Sequence, residues 1–216
     1  MSFREKLARR AKKASISLSD DVIPGLEIYF ELLRKWNQKV SLTSLPVADY
    51  GDEAVDRLII EPLVASRYLP FLNATVMDVG TGGGSPAIPM KVANPAISMR
   101  MVESKTRKAA FLREVVRQLG LDSTEVESSR FEELLARPAL HEAVDVVTMR
   151  AVRAEKKTLL GLQAFLKPGG VLFLFRTGAP AADANLVAPP LSWQASHSLV
   201  PSLDSRLAVF SKDQTI

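Results

Sequence analysis

The sequence predicts an α/β fold: a mostly parallel sheet with one antiparallel strand near its end, preceded by a helical extension. Three observations predict it. From Thr75 onward, short apolar runs alternate with segments of helical period, the pattern of βαβ units. Four glycines crowd into residues 80–84, immediately after the first of those runs. Before Thr75 the apolar spacing is mostly helical.

The elements follow in order. Residues 3–14 form a short basic helix with Phe3, Leu7, Ala11 and Ala14 on one face. Ser19-Asp20-Asp21 reads as an N-cap for a second helix, whose apolar stripe is Ile23, Leu26, Phe30, Leu33 and Trp36. Pro24 falls in its first turn, where a missing N–H costs little. Val40 to Pro46 is a loop, and residues 52–68 form a helix interrupted or kinked near Pro62. Residues 1–70 are thus a helical extension within the same compact unit as residues 71–216. In the second part, strands are expected at Thr75–Val79, Ser98–Val102, Thr124–Glu127, Val144–Met149 and Val171–Phe175. Helices are expected at Thr106–Leu119, stopped by Gly120, at Phe131–Ala136 and at Lys156–Leu166. Lys167-Pro168-Gly169-Gly170 is read as a turn. Two last runs, Trp193–Leu199 and Leu207–Phe210, are joined through Ser202–Arg206 as a hairpin, which supplies the antiparallel strand.

Composition narrows the function classes. Hydrophobic residues make up 47% and charged residues 24%, which excludes disordered, collagen-like and coiled-coil chains. The absence of cysteine excludes disulfides, thiolate zinc, iron–sulfur clusters and a cysteine nucleophile. The two histidines, His141 and His197, lack ligand-spaced partners, so no metal is expected. No run of eighteen apolar residues exists, so no membrane span is expected, and a cysteine-free chain fits the cytoplasm. A basic, serine-containing N-terminus also has the look of an organellar transit peptide. The net charge is +4, yet residues 1–13 alone hold six basic residues and one acidic residue. That arm reads either as a contact to a polyanion or as a solvated tail.

The sharpest local signal is Asp78-Val79-Gly80-Thr81-Gly82-Gly83-Gly84-Ser85-Pro86. Glycines permit positive φ and let a ligand lie against bare backbone. In an open α/β sheet such a loop sits at the carboxyl end of a strand, where ligands bind. Gly82-x-Gly84-x-x-Ala87 fits a dinucleotide fingerprint, but Pro86 and Pro89 would then occupy the pyrophosphate-binding helix turn. Asp78-x-Gly80-x-Gly82-x-Gly84 is the better parse. It resembles motif I of class I methyltransferases, which bind S-adenosylmethionine. That resemblance implies that the loop passes under the methionine part and that Asp78 helps hold its amino end. Glu103, ending the second strand, is placed to accept hydrogen bonds from both ribose hydroxyls, a feature shared with NAD enzymes.

The resemblance extends along the chain. Lys35-Trp36-Asn37 and Leu42-Thr43-Ser44 precede the loop; Val79 to Pro89, Lys108 to Arg113, Ser129 to Glu133 and Met149-Arg150-Ala151 follow. Together these are similar to the RsmG family, also called glucose-inhibited division protein B, over roughly Ser15 to Lys212. The resemblance implies a class I, Rossmann-like methyltransferase with a seven-stranded sheet and a helical extension. It implies S-adenosylmethionine-dependent methylation of a guanine N7 in bacterial 16S ribosomal RNA, by a cytoplasmic monomer whose partner is ribosomal RNA or the small ribosomal subunit. Carried over by position, Gly80 and Ser85 fall at loop contacts to the cofactor, Phe131 and Glu132 near the adenine, and Arg150 beside the cofactor and the guanine; Gly82 joins the cofactor-binding candidates as part of the glycine motif. The chain departs from the family pattern at Ser41 in its Asn-Leu-Thr element. It departs again at Leu58, Glu61 and Pro62 in Arg-His-x-x-Asp-Ser, at Met149, and at Arg176-Thr177-Gly178.

Guanine N7 carries a free lone pair, so its methylation is a positioning task and needs no base. Arg150 and Arg176 are the candidate catalytic cations, offering a planar fork to guanine O6 or to phosphate. Lys105, Arg107, Lys108, Arg113 and Arg117 form one basic cluster, and Arg153, Lys156 and Lys157 another; both suit phosphate contact. The alternatives are a methyltransferase acting on a small molecule or a protein, an NAD-dependent oxidoreductase, and a non-catalytic RNA-binding protein with a vestigial cofactor pocket.

Overall fold

A computed structural model describes residues 1–150, 155–179, 186 and 189–214. Seven strands form one sheet: β1 (Thr75–Val79), β2 (Ser98–Val102), β3 (Thr124–Glu127), β4 (Val144–Arg150), β5 (Leu166–Thr177), β6 (Leu191–Val200) and β7 (Ser205–Lys212). Their order is β3-β2-β1-β4-β5-β7-β6. Neighbours from β3 to β5 run parallel, and β7 runs antiparallel to both β5 and β6. The expected mostly parallel sheet with one antiparallel strand is therefore present. β1 is buried on both faces, with Val76 in one core cluster and Met77 in the other, which is why it reads as a continuous apolar run.

Helices cover both faces. α1 (Phe3–Lys13), α2 (Val22–Asn37), α3 (Asp52–Val55), α4 (Glu61–Ala65), α5 (Ala87–Ala93) and α6 (Thr106–Leu119) contribute to the first core cluster. α7 (Phe131–Leu134) and α8 (Lys156–Leu162) pack into the second. Gly120 ends α6 in the left-handed region at φ 57°, as its position predicts.

Several expectations are refined. The expected cap at Asp21 is absent: Asp21 is itself helical and makes no side-chain cap bond, and α2 starts from a backbone turn in which the Val22 N–H reaches the Ser19 carbonyl. The interruption near Pro62 is a π-turn over Asp56–Ile60, between α3 and α4. α7 and α8 are shorter than predicted, and a 3₁₀ turn, Gln163–Phe165, completes α8. Lys167 to Gly170 do not separate helix from strand but bulge within β5, where the register jumps from Val144–Leu166 to Val146–Val171.

The basic arm is not a free tail. Ser2 and Glu5 form a capping box that starts α1, and Phe3, Leu7, Arg10 and Ala11 are buried. Phe3 packs against Phe30 with ring centroids 5.1 Å apart and the planes tilted by 37°, and the Arg10 Nε donates to Asp56 at 2.6 Å. Arg4 pairs with Glu27, while Lys6 and Arg9 pair with Asp52. The amphipathic face identified in the sequence is a docking face, and its cations answer carboxylates on neighbouring elements.

Candidate functional site

The sheet order reverses beside β1, where β2 lies on one side and β4 on the other. Connections from these strands diverge there and open a crevice at their carboxyl ends. The chain puts its chemistry at that crevice: the glycine loop after β1, Glu103 after β2, Arg150 at the end of β4, and Arg176 at the end of β5. A cavity of about 710 Å³ occupies it. Gly80, Gly82, Ser85, Glu103, Arg150 and Arg176 all line it. A second cavity, of about 660 Å³, lies at the opposite end of the sheet and contains none of them.

The loop is held rigidly. The N–H groups of Gly80 and Thr81 both donate to the Val102 carbonyl, at 2.9 and 3.2 Å. Gly80, Gly82 and Gly84 take φ of 74°, 58° and 93°, in the region that favours glycine. Gly84 has a second constraint, since a Cβ there would come within 3.0 Å of Ile88 and Tyr29. A Cβ on Gly82 would meet only the Gly80 carbonyl oxygen, 3.7 Å away, so this side of the loop is bare toward the cavity. Below the loop, the buried Tyr29 hydroxyl donates to the Gly83 carbonyl at 2.7 Å, and burial pushes its pKa up.

Two carboxylates flank the loop. Glu103 accepts from the Gly82 N–H at 2.9 Å on one oxygen and from the Lys105 N–H at 2.7 Å on the other. Each oxygen keeps a lone pair for a further donor. Asp78 is buried beneath the loop, outside the cavity wall, and accepts from the Thr148 hydroxyl at 2.5 Å. Its other oxygen, Oδ2, is buried with no hydrogen-bond partner among the described residues. Burial is the main reason its pKa is pushed up to about 6; the Glu103 charge adds to this, while Thr148 and Arg150 oppose it.

Arg150 is gripped on three sides. Its Nη1 donates to the Arg57 carbonyl and, at 3.1 Å, to the Ser85 hydroxyl; its Nη2 donates to the buried Glu61 carboxylate. Its guanidinium lies 5.3 Å from the Phe175 ring centroid. Burial pulls its pKa down and Glu61 opposes that shift. Arg176 shares the wall. Arg57 and Lys108 also line the cavity, which makes four cations on its wall among the described residues.

Part of the wall comes from the helical extension. Asn37, the last residue of α2, accepts at Oδ1 from the N–H groups of Leu42 and Thr43, at 2.9 and 3.0 Å. That side-chain bridge fixes the loop whose Leu42, Thr43, Ser44 and Leu45 line the cavity. Phe131 and Glu132 are not brought there. Phe131 heads α7 and packs against the second core, where a Cβ on Gly161 would come within 3.3 Å of it; Glu132 is exposed. Lys156 and Lys157 open α8, and Arg153 lies outside the described residues. Sequence reasoning missed Arg57, Glu61, Thr148 and Tyr29 as site residues. Glu61 and Arg150 are 89 positions apart and Thr148 and Asp78 are 70 apart, so no local pattern signals either pair.

The donor set suits S-adenosylmethionine. A buried carboxylate oxygen without a partner fits an ammonium group, Glu103 fits a ribose diol, and bare glycine backbone fits a ligand in close contact. The chain also matches a protein-family model described as rRNA small subunit methyltransferase G over residues 23–205. It is 35% identical over 189 residues to the ribosomal RNA small subunit methyltransferase G of Stenotrophomonas maltophilia, covering 84% of this chain and 80% of that one. It is 30% identical over 218 residues to the protein of the same name from Neisseria meningitidis, covering 98% and 100%. Among solved structures, an S-adenosylmethionine-dependent methyltransferase from Aquifex aeolicus shares the fold, with TM-score 0.53 and 18% identity over 74% of this chain and 93% of that one. A putative methyltransferase from Escherichia coli does so with TM-score 0.56 and 13% identity, over 71% and 84%.

Proposed function

Because the chain belongs to the small-subunit rRNA methyltransferase G family, we propose that it methylates N7 of a guanine in 16S ribosomal RNA, with S-adenosylmethionine as methyl donor. The observation that carries the reading is one cavity whose wall holds the Glu103 carboxylate together with Arg57, Lys108, Arg150 and Arg176, with the Asp78 carboxylate buried behind the glycine loop. The carboxylates suit a nucleoside cofactor with an ammonium group, and the cations suit a polyanion.

When bound, S-adenosylmethionine supplies an electrophilic methyl group. The protein's task is to hold and orient. Gly80 and Gly82 admit the cofactor against backbone, Ser85 and Arg150 keep that backbone in place, Glu103 accepts from the ribose, and Asp78 favours the positive amino end. Phe131 and Glu132 stay assigned to the adenine end by family position, although neither lines the cavity. Arg176 is the cation assigned to guanine O6 or a flanking phosphate. During transfer N7 itself must stay free of donors, so a cation can help only at O6 or phosphate. No histidine or carboxylate needs to take a proton from N7, and the work is orientation of two reactants. An RNA substrate of the ribosome implies action in the cytoplasm; among the described residues no helix is long and apolar enough to cross a membrane.

The test is methyl transfer from radiolabelled S-adenosylmethionine to small subunits, naked 16S RNA and protein, followed by mass mapping of the RNA. Label at a guanine N7 is expected. Cofactor binding with no transfer to RNA would favour the vestigial or small-molecule alternatives.

A further inference from the structure

The helical run from Asp52 to Ala65 contains one irregularity, and it faces Arg150. In the π-turn Asp56–Ile60 the Glu61 N–H reaches back five residues, to the Asp56 carbonyl. The next bond in that series would join residue 62 to the Arg57 carbonyl. Residue 62 is proline and has no N–H to give. The Arg57 carbonyl accepts from the Arg150 guanidinium instead. A helix carbonyl is normally spent on its own helix and is not offered to a side chain from a distant strand.

This contact sets the direction of the guanidinium. Nη1 has two hydrogens: one goes to the Arg57 carbonyl and the other to the Ser85 hydroxyl, 3.1 Å away. Glu61, one residue before Pro62, takes Nη2. Two consecutive residues thus fix both terminal nitrogens, one by supplying a carboxylate and one by withholding a donor. Ser85 closes the glycine loop, so the guanidinium ties that loop to the helical extension.

We propose that Pro62 is a positioning residue: by withholding its N–H it reserves the Arg57 carbonyl for Arg150, which in turn holds Ser85 and the cofactor loop in their binding shape. The consequence for cofactor binding rests on the function proposed above; the effect on the loop does not.

The test uses Pro62→Ala, which restores an N–H that competes for the Arg57 carbonyl. Amide hydrogen exchange of residues 82–88 in the free protein should accelerate three- to tenfold, and S-adenosylmethionine should bind three- to tenfold more weakly, the equivalent of one net hydrogen bond. A double-mutant cycle with Arg150→Met separates this from a local helix effect. With Arg150 removed, Pro62→Ala should change loop exchange by less than about twofold, since coupled residues are non-additive. Pro62→Ser serves as a second variant should the alanine form be poorly folded. Unchanged loop exchange in Pro62→Ala, or the same acceleration with and without Arg150, would overturn the proposal. Faster loop exchange in a protein whose wild type binds no S-adenosylmethionine would support the clamp and count against the proposed function instead.

Discussion

Folding changes the chemistry of the Asp78 carboxylate, and the change can be titrated. Its pKa stands at about 6 in the folded protein against an ordinary 3.8, chiefly through burial. The folded state therefore binds this proton more tightly than the unfolded one. The associated stability is fully present below about pH 4 and is lost as pH rises through 6, by about 3 kcal/mol. Thr148 and Thr81, then Arg150, oppose the shift, and Glu103 adds to it. Asp78→Asn should flatten this window, and urea unfolding at pH 4.5 and 7 would show it. An ammonium group near Oδ2 favours the ionised form, so affinity for S-adenosylmethionine should rise with pH through about 6 in the wild type and not in Asp78→Asn; calorimetry across that range decides it. Glu103 gives a second residue-level prediction. Both of its oxygens already accept backbone N–H groups. Glu103→Gln must turn an NH₂ toward one of them, and the resulting donor–donor conflict should weaken cofactor binding by about 1–3 kcal/mol, close to the loss from Glu103→Ala. A glutamine variant binding within threefold of wild type would show that the backbone contacts do not matter.

At the scale of elements, α1 carries the firmest expectation. Deleting residues 1–13 removes Phe3 and Leu7 from the first core and leaves the buried Asp56 without Arg10. Losing the apolar burial costs about 1.5–3 kcal/mol per side chain, and a stranded buried charge about 3–5 kcal/mol. The truncated protein should lose at least about 5 kcal/mol in denaturant unfolding, whereas a dispensable tail would leave the midpoint unmoved. The sequence showed the amphipathic face of this helix but not its partner, because Asp52 and Asp56 lie more than forty positions away. Legibility follows the same rule elsewhere. β1, β2, β3 and α6 match their expected limits, since each is a short run bounded by glycine, turn residues or polar residues. That the glycine loop and Glu103 end up together at the carboxyl end of the sheet was legible for the same local reason. The π-turn was visible only as a disturbance near Pro62, because its register depends on what the freed carbonyl meets across the fold.

For the molecule as a whole, the charge distribution read from the sequence is redistributed by folding. Four of the six cations in residues 1–13, Arg4, Lys6, Arg9 and Arg10, pair with Glu27, Asp52 and Asp56. Lys105 and Arg107 are exposed at the start of α6, and Lys108 lies on the cavity wall. RNA contact should therefore centre on the cavity mouth. Replacing Lys105 and Lys108 together by alanine should lower the log–log salt slope of RNA binding by about 1.4–1.8 units, at roughly 0.7–0.9 per phosphate contact. Arg9→Ala should leave that slope nearly unchanged. Binding isotherms over a salt series compare the two, and a larger change from Arg9 would move the interface to α1.

The position of β7 bears on how the chain reaches this state. β7 follows β6 in the chain, yet in the sheet it lies between β5 and β6 and, among the described residues, is the one strand that pairs with β6. During vectorial synthesis β6 emerges with no neighbour to pair with, and the β5 edge stays open until Ser205–Lys212 has been made. Closure of this side of the sheet must then be a late, concerted event. Until it happens, β5 presents a row of unpaired backbone groups beside the apolar face of Phe173 and Phe175, the kind of surface that holdase chaperones shield and that associates with other chains when crowded.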